Sequence, residues 1–314
     1  MQIIGPDSLI FGVDDVAACV QYLTDYGLAP CDVSAAGGRF EALDGTSIVI
    51  RHKSDAGLPA PLGTASMLRK TVYGVADAAT LADIAAELGK DREVRRLADG
   101  SLEAVDNMGF VLGFQTTVRR KFSRPAEAIN APGAPAQRPA NVVAVDEAAV
   151  IVPRTLSHVV YFVPDAAKAE AFYQRLGFRC TDRFIGAGPF LQPAGSLDHH
   201  TLFLIQTPPV MMGCEHFTFH LAGPTELMQA GYRFVNKGYQ SFWGPGRHKF
   251  GSNWFWYFNS PLGCHVEYDA DMDLHDASWV AREVPINADS SQLFLFQHRA
   301  KWSPGGPPAP GAAH

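Results

Sequence analysis

No uncharged apolar run in the 314 residues approaches the roughly 20 positions a helix needs to span a bilayer, so no membrane segment is expected. Basic residues are scarce. The 26 Lys and Arg are outnumbered by 32 Asp and Glu, the formal net charge is −6, and no basic cluster is longer than Arg119-Arg120-Lys121. A nucleic-acid partner, which needs a basic face, is not expected. The five cysteines (Cys19, Cys31, Cys180, Cys214, Cys264) contain no CxxC pair. Met1 to Asp7 lacks the basic and apolar regions of a secretory signal, so reduced thiols and a cytoplasmic location are expected.

What is present suits a folded chain. Hydrophobic residues make up 47% and charged residues 18%, and the length allows one large or two medium domains. Composition shifts at 124–141 (RPAEAINAPGAPAQRPAN), a Pro- and Ala-rich stretch with little to bury, and again in the tail from Ser303. The expected division is a first domain at 1–120, a linker at 121–153, a second domain at 154–285, and a C-terminal segment and tail at 286–314.

The two large blocks resemble each other. SLIFGVDDVAACVQYLTDYGL (8–28) and HVVYFVPDAAKAEAFYQRLGF (158–178) both read as an apolar strand, Val-x-Asp, a helix, then Gly and an apolar residue. The interval from Asp15 to Gly27 equals that from Asp165 to Gly177. Asp165 suits a helix N-cap, and Ala169, Phe172, Tyr173 and Leu176 make one apolar face. A similar start recurs at 71–89 and 216–234, each followed by short β-rich runs broken by Gly, Asn and Asp. The expected fold is α+β: four βαβββ modules paired into two curved-sheet barrels.

Histidines are unevenly spread, with one before residue 158 and ten from there on. His158 and His216 open equivalent strands, and Glu267 lies on the last strand of its module. One residue from each of three strands can converge inside a curved sheet. Two His and one carboxylate leave coordination positions open, the pattern of non-haem Fe(II) enzymes that bind O2 and substrate together. Aligning the halves sets Ser8 against His158, Lys70 against His216, and Gly113 against Glu267. All three candidate ligands are therefore absent together from the first half, which points to one metal site per chain.

With these residues in order, the sequence resembles the type I extradiol ring-cleaving dioxygenases of the vicinal oxygen chelate superfamily, most closely from His158 to Asp273. The resemblance implies His158, His216 and Glu267 as ligands to Fe(II), with Mn(II) as a substitute. It implies His200 as the active-site acid/base, and His248 and Tyr257 as groups that hydrogen-bond a metal-bound substrate oxygen. His248, Tyr257 and Glu267 follow the family's nine- and ten-residue steps. The implied reaction joins a catechol-type aromatic diol with O2 to give a muconic semialdehyde, in an enzyme that commonly forms homo-oligomers.

Plainer readings stand beside these. A lone strand His is more often structural than a ligand. His220 shares a strand face with His216, and His265 shares one with Glu267, so periodicity alone leaves both in competition. His199 points away from His200 if that stretch is extended. Asp269, Asp271 and Asp273 read as a solvated acidic strand end, and Gly244-Pro245-Gly246 as a turn. Val160, Phe190, Trp243 and Phe250 are candidate pocket residues, with the last three and Phe184 assigned to loops. They favour an apolar or bicyclic catechol, unless Arg247, Arg299 or Lys301 reaches the site.

Overall fold

The repeated Val-x-Asp signals become helix starts. In a computed structural model, which describes residues 1–296, the side chains of Asp15 and Asp165 each accept a hydrogen bond from a backbone N–H three residues on, at 2.9 Å. These caps open helix α1 (Val16–Tyr26) and helix α3 (Ala166–Arg175). Gly27 and Gly177 follow at φ 108° and 87°, left-handed values that a Cβ disfavours. The tail from Ser303, with Arg299 and Lys301, lies outside the described residues.

Four βαβββ modules follow in order. The first is β1 (Ile3–Val13), α1, β2 (Ala29–Ser34), β3 (Gly37–Glu41) and β4 (Ser47–His52). The second is β5 (Leu68–Val75), α2 (Ala78–Leu88), β6 (Arg95–Arg96), β7 (Leu102–Val105) and β8 (Val111–Thr116). The third is β9 (Thr155–Val163), α3, β10 (Phe178–Ile185), β11 (Gly188–Pro193) and β12 (Leu202–Gln206). The fourth is β13 (Gly213–His220), α4 (Pro224–Asn236), β14 (Ser241–His248), β15 (Trp254–Asn259) and β16 (His265–Ala270). Two further strands, β17 (Arg282–Pro285) and β18 (Gln292–Leu295), add to the edges of the second sheet.

The first sheet runs β2-β3-β4-β1-β5-β8-β7-β6. The second repeats that order as β10-β11-β12-β9-β13-β16-β15-β14, flanked by β17 and β18. Neither closes on itself through hydrogen bonds, so each barrel is open along one side. The register repeats as well. Ser8 pairs with Val72 and Val72 with Gly113, as His158 pairs with Thr218 and Thr218 with Glu267. Lys70 sits opposite Ile10 as His216 sits opposite Val160.

A single apolar cluster runs through both sheets, so the halves share a core. Tyr26 stacks on Tyr268 at 4.1 Å and 2°, and Phe110 stacks on Tyr161 at 4.3 Å and 10°. The Pro/Ala-rich stretch forms no helix or strand but is docked: the Glu127 carboxylate accepts the backbone N–H of Thr225 at the start of α4, and Arg233 donates to the Ala149 carbonyl at 2.6 Å. Among the described residues no helix is long and apolar enough to cross a membrane. Gly244-Pro245-Gly246 departs from the turn expected of it. It lies inside β14, where the register against β15 slips, because the bulged strand absorbs the bend.

Candidate metal centre

The paired register carries side chains from three strands to one point. His158 (β9), Thr218 (β13) and Glu267 (β16) form a row across the sheet, and His216, two residues before Thr218, shares its face. His158 Nε2 lies 3.4 Å from His216 Nε2 and 3.3 Å from Glu267 Oε2, and His216 Nε2 lies 3.5 Å from the same oxygen. All three residues are buried. Glu267 Oε1 has no hydrogen-bond partner although it is buried. Burial pushes the Glu267 carboxyl up, but His158 and His248 hold it well below the usual carboxylate range. Oε2, beside the two imidazole nitrogens, accepts from Thr218, while Oε1 stays orphaned; two imidazoles and a carboxylate so placed suit a divalent cation with mixed nitrogen and oxygen donors.

The outer ring nitrogens are also engaged. His158 Nδ1 is 2.9 Å from Ser157 Oγ, which lies 3.3 Å from Asp269. Asp269 is 2.7 Å from His220 Nδ1, and the charges of Asp269 and Asp198 overcome burial to raise the His220 pKa to about 10. His216 Nδ1 bonds to the Glu215 carboxylate, whose other oxygen lies 2.8 Å from His265 Nδ1. Such partners fix the ring so that Nε2 faces the ion. His265 thus stands behind Glu215, and His220 behind Asp269 and Ser157, rather than at the candidate centre itself. Asp269 is fully buried rather than a solvated strand end, because it carries His220 and Ser157; only Asp271 is exposed, paired with Arg247 at 2.8 Å.

Glu215 was not legible in the sequence. Adjacent strand residues normally face opposite sides, and Glu215 precedes His216. A bulge between Cys214 and His216 turns it to the same side. The first sheet has a register shift at the equivalent point, between Lys70 and Leu68, so the bulge belongs to the repeat.

Three further residues border the centre. The His200 ring centroid is 4.3 Å from that of His158. His248 Nδ1 lies 2.8 Å from the Ser291 carbonyl and so donates to it, while His248 Nε2 accepts from the Tyr257 hydroxyl at 3.2 Å. The Tyr257 ring stands edge-on to His216 at 4.9 Å. Burial and the charge of Glu267 push the Tyr257 hydroxyl well above its ordinary pKa, so it stays a proton donor. His199 does not face the centre; it lies behind His200, Nδ1 to Nδ1, at 2.9 Å.

These groups open onto a cavity of about 260 Å³. Val160, Phe190, Trp243 and Phe250 all line it, together with Phe184 and Phe203. Phe184, Phe190 and Trp243 are on β10, β11 and β14 rather than in loops, because their aromatic runs pair in the sheet. Among the described residues no Lys or Arg lines the cavity. Arg247 is turned away, with its guanidinium over Trp254. Arg282 sits against Phe250 but is held by Asp182. Ser291, just ahead of β18, reaches the cavity wall, so the described part of the C-terminal segment helps to enclose it.

Comparison with known proteins gives a consistent placement. The model of the Glyoxalase/Bleomycin resistance protein/Dioxygenase superfamily matches residues 155–268. Metapyrocatechase 2 of Cupriavidus necator is 37% identical over 124 residues, 39% of this chain; the match spans only 38% of that relative's length. The Mn(II)-bound glyoxalase of Novosphingobium aromaticivorans superposes with a TM-score of 0.71 at 19% identity, covering 93% of this chain and 90% of that one. A halotolerant catechol dioxygenase gives 0.72 at 15% identity, covering 94% and 95%. Residues 155–268, which hold the candidate centre, thus match a domain of the Glyoxalase/Bleomycin resistance protein/Dioxygenase superfamily, and the fold of the two solved structures extends over nearly the whole chain.

Proposed function

We propose that the chain is a metal-dependent extradiol dioxygenase that uses O2 to open the ring of a catechol bearing an apolar substituent, giving a muconic semialdehyde-type product. The observation that carries this reading is the buried, open-sided set of His158, His216 and Glu267 facing an aromatic cavity rimmed by His200, His248 and Tyr257. The likeness to a metapyrocatechase over 124 residues adds support. Fe(II) is the proposed ion, with Mn(II) able to substitute, since both accept imidazole and carboxylate. When bound, it would supply Lewis acidity to lower the diol's hydroxyl pKa, and open positions for diol and O2.

The chain's own residues have separable tasks. Tyr257, kept protonated, donates its hydrogen either to His248 or to an oxygen of the diol, and His248 is held for this by Ser291 and by stacking on Phe255 at 4.0 Å. His200, kept neutral by burial, takes a proton at a ring nitrogen and can return it later. The phenylalanine wall orients the substituent by area alone and excludes water. With no Lys or Arg among the described lining residues, a carboxylate on the ring would lose its hydration there without compensation.

Oxygen consumption against a panel of substituted catechols, after anaerobic loading with Fe(II), tests the proposal. The expected result is uptake matched by a yellow ring-fission product, with aryl- and alkyl-catechols preferred over carboxylate-bearing ones. No uptake across the panel overturns it. Turnover of an α-ketoaldehyde adduct without oxygen would instead mark a glyoxalase-like isomerase.

A further inference from the structure

His200 is one end of a buried chain of groups. Its Nδ1 lies 2.9 Å from Nδ1 of His199, and Nε2 of His199 lies 2.8 Å from Oδ2 of Asp182. Asp182 is clasped from the other side by Arg282, whose backbone N–H donates to Oδ1 at 2.8 Å and whose guanidinium pairs with the carboxylate. His199 and Asp182 are both at zero exposure, so no bulk water competes for these bonds.

The direction of each bond follows from what each group can do. Burial raises the Asp182 pKa, but His199 and Arg282 more than offset this, so the carboxyl is ionised and can only accept. His199 Nε2 therefore carries a hydrogen and donates it. Burial keeps His199 neutral, so its Nδ1 holds a lone pair. The hydrogen between the two Nδ1 atoms then belongs to His200. The His200 ring is buried and no carboxylate is hydrogen-bonded to it, so nothing there compensates a second ring hydrogen. Its Nε2 is left with a lone pair, on the ring edge away from His199 and toward the cavity that His200 lines.

We infer that the Asp182–His199 pair is a positioning relay that locks His200 in its Nδ1–H tautomer and presents Nε2 to the cavity as a proton acceptor. The tautomer stands on the hydrogen bonds and the burial of these groups; only the identity of what Nε2 meets, a diol hydroxyl, rests on the reading above. His200 must then take a proton before it can give one. Tyr257, whose hydroxyl donates to His248, is the donor across the cavity.

Nitrogen-15 NMR of the full chain with labelled histidine tests this, before and after addition of the diamagnetic ion Zn(II). His200→Phe assigns the resonances. The expected wild-type signature is a pyrrole-type Nδ1 and a pyridine-type Nε2 at His200. His199→Phe, which keeps the ring volume but removes the acceptor, should move both His200 signals to intermediate positions. It should also lower kcat roughly 100-fold, within the range general acid–base groups contribute, with KM little changed. Asp182→Asn should move the same signals without touching His200. A hydrogen on His200 Nε2 in the wild type overturns the relay even if neither variant folds. So does an unchanged His200 signature in both variants. An Nδ1–H His200 in a chain that consumes no oxygen would sink the dioxygenase reading and leave the relay standing.

Discussion

The same register position is built twice in this molecule and solved in two ways. In the second sheet the row His158–Thr218–Glu267, with His216, gathers three donors for an ion. In the first sheet Ser8, Val72 and Gly113 occupy that row, and Lys70 stands where His216 stands. The Lys70 ammonium is paired with Glu103 at 2.8 Å, both side chains only about a tenth exposed. Glu103 lies opposite Gly113 as Tyr257 lies opposite Glu267. A Cβ at Gly113 would come within 2.6 Å of the Lys70 side chain, so a larger residue there would require the lysine to move from its present place. The inside of the sheet holds a buried carboxylate in both halves, and each needs a cation. The first half supplies it covalently. The second leaves Glu267 Oε1 without a hydrogen-bond partner, beside side chains that could hold a cation from solution.

The largest expected effect comes from rewriting the second row in the letters of the first. His158→Ser should abolish stoichiometric Fe(II) or Mn(II) binding and oxygen uptake together, read by metal analysis after dialysis and by an oxygen electrode. Ion retained at full stoichiometry would break the comparison. His200→Phe should keep the ion but lower kcat by about 100-fold or more, since only the proton-transfer group is lost. If metal binding is lost instead, His200 belongs with the ligands.

The converse change lies in the first half. Lys70→Met removes the built-in cation and leaves Glu103 to Arg95 alone, an exposed partner. Truncating one side of a buried pair typically costs about 3–5 kcal/mol; with Arg95 remaining, about 1–3 kcal/mol is expected from urea unfolding, with no change in metal content. The loss should depend on pH with a defined sign. Burial raises the Glu103 pKa, but the bonds from Lys70 and Arg95 bring it below its ordinary 4.5. A lowered folded-state pKa gives stability that is present above that ordinary value and lost as pH falls through the folded one. The wild-type advantage over Lys70→Met should therefore be flat above pH 5 and shrink toward acid. A gap that widened toward acid would mean that Lys70 acts through packing rather than charge.

Much of this comparison was legible in the sequence. Equal Asp-to-Gly intervals gave the module starts, because a cap and a left-handed glycine are local requirements. The alignment of Ser8, Lys70 and Gly113 with His158, His216 and Glu267 survives as strand register, because module repetition preserves pairing. What escaped depends on irregularity or distance. Glu215 is turned by a bulge that breaks alternation. Asp182 is 17 residues from His199, and they meet only through the folding of the sheet. Asp269 looked like a surface charge because nothing local marks its pairing with His220, 49 residues away. Lys70 and Glu103 carried no signal as a pair, since neither belongs to a motif.

The smallest expected effect asks whether the first half merely accompanies the half with the candidate metal centre or holds it in place. Tyr26, at the end of α1, donates its hydroxyl to the backbone carbonyl of Glu267 at 2.5 Å while its ring stacks on Tyr268. Tyr173, at the far side of the shared core, reaches from the second half into the first, with its hydroxyl 3.3 Å from Asp106. Both are buried tyrosines whose conversion to Phe deletes one cross-domain bond and little volume, at a cost of about 0.5–1.5 kcal/mol each. Stability alone therefore does not separate them, but the ion does. Tyr26→Phe frees the peptide that carries Glu267 and should weaken divalent-ion affinity by about two- to tenfold by calorimetry, within the range that outer partners of metal ligands command or just below it. Tyr173→Phe should destabilise the fold to a similar degree and leave that affinity unchanged. Equal affinities in the two variants would mean that the strand ladder alone positions Glu267, and that the first half contributes only buried area.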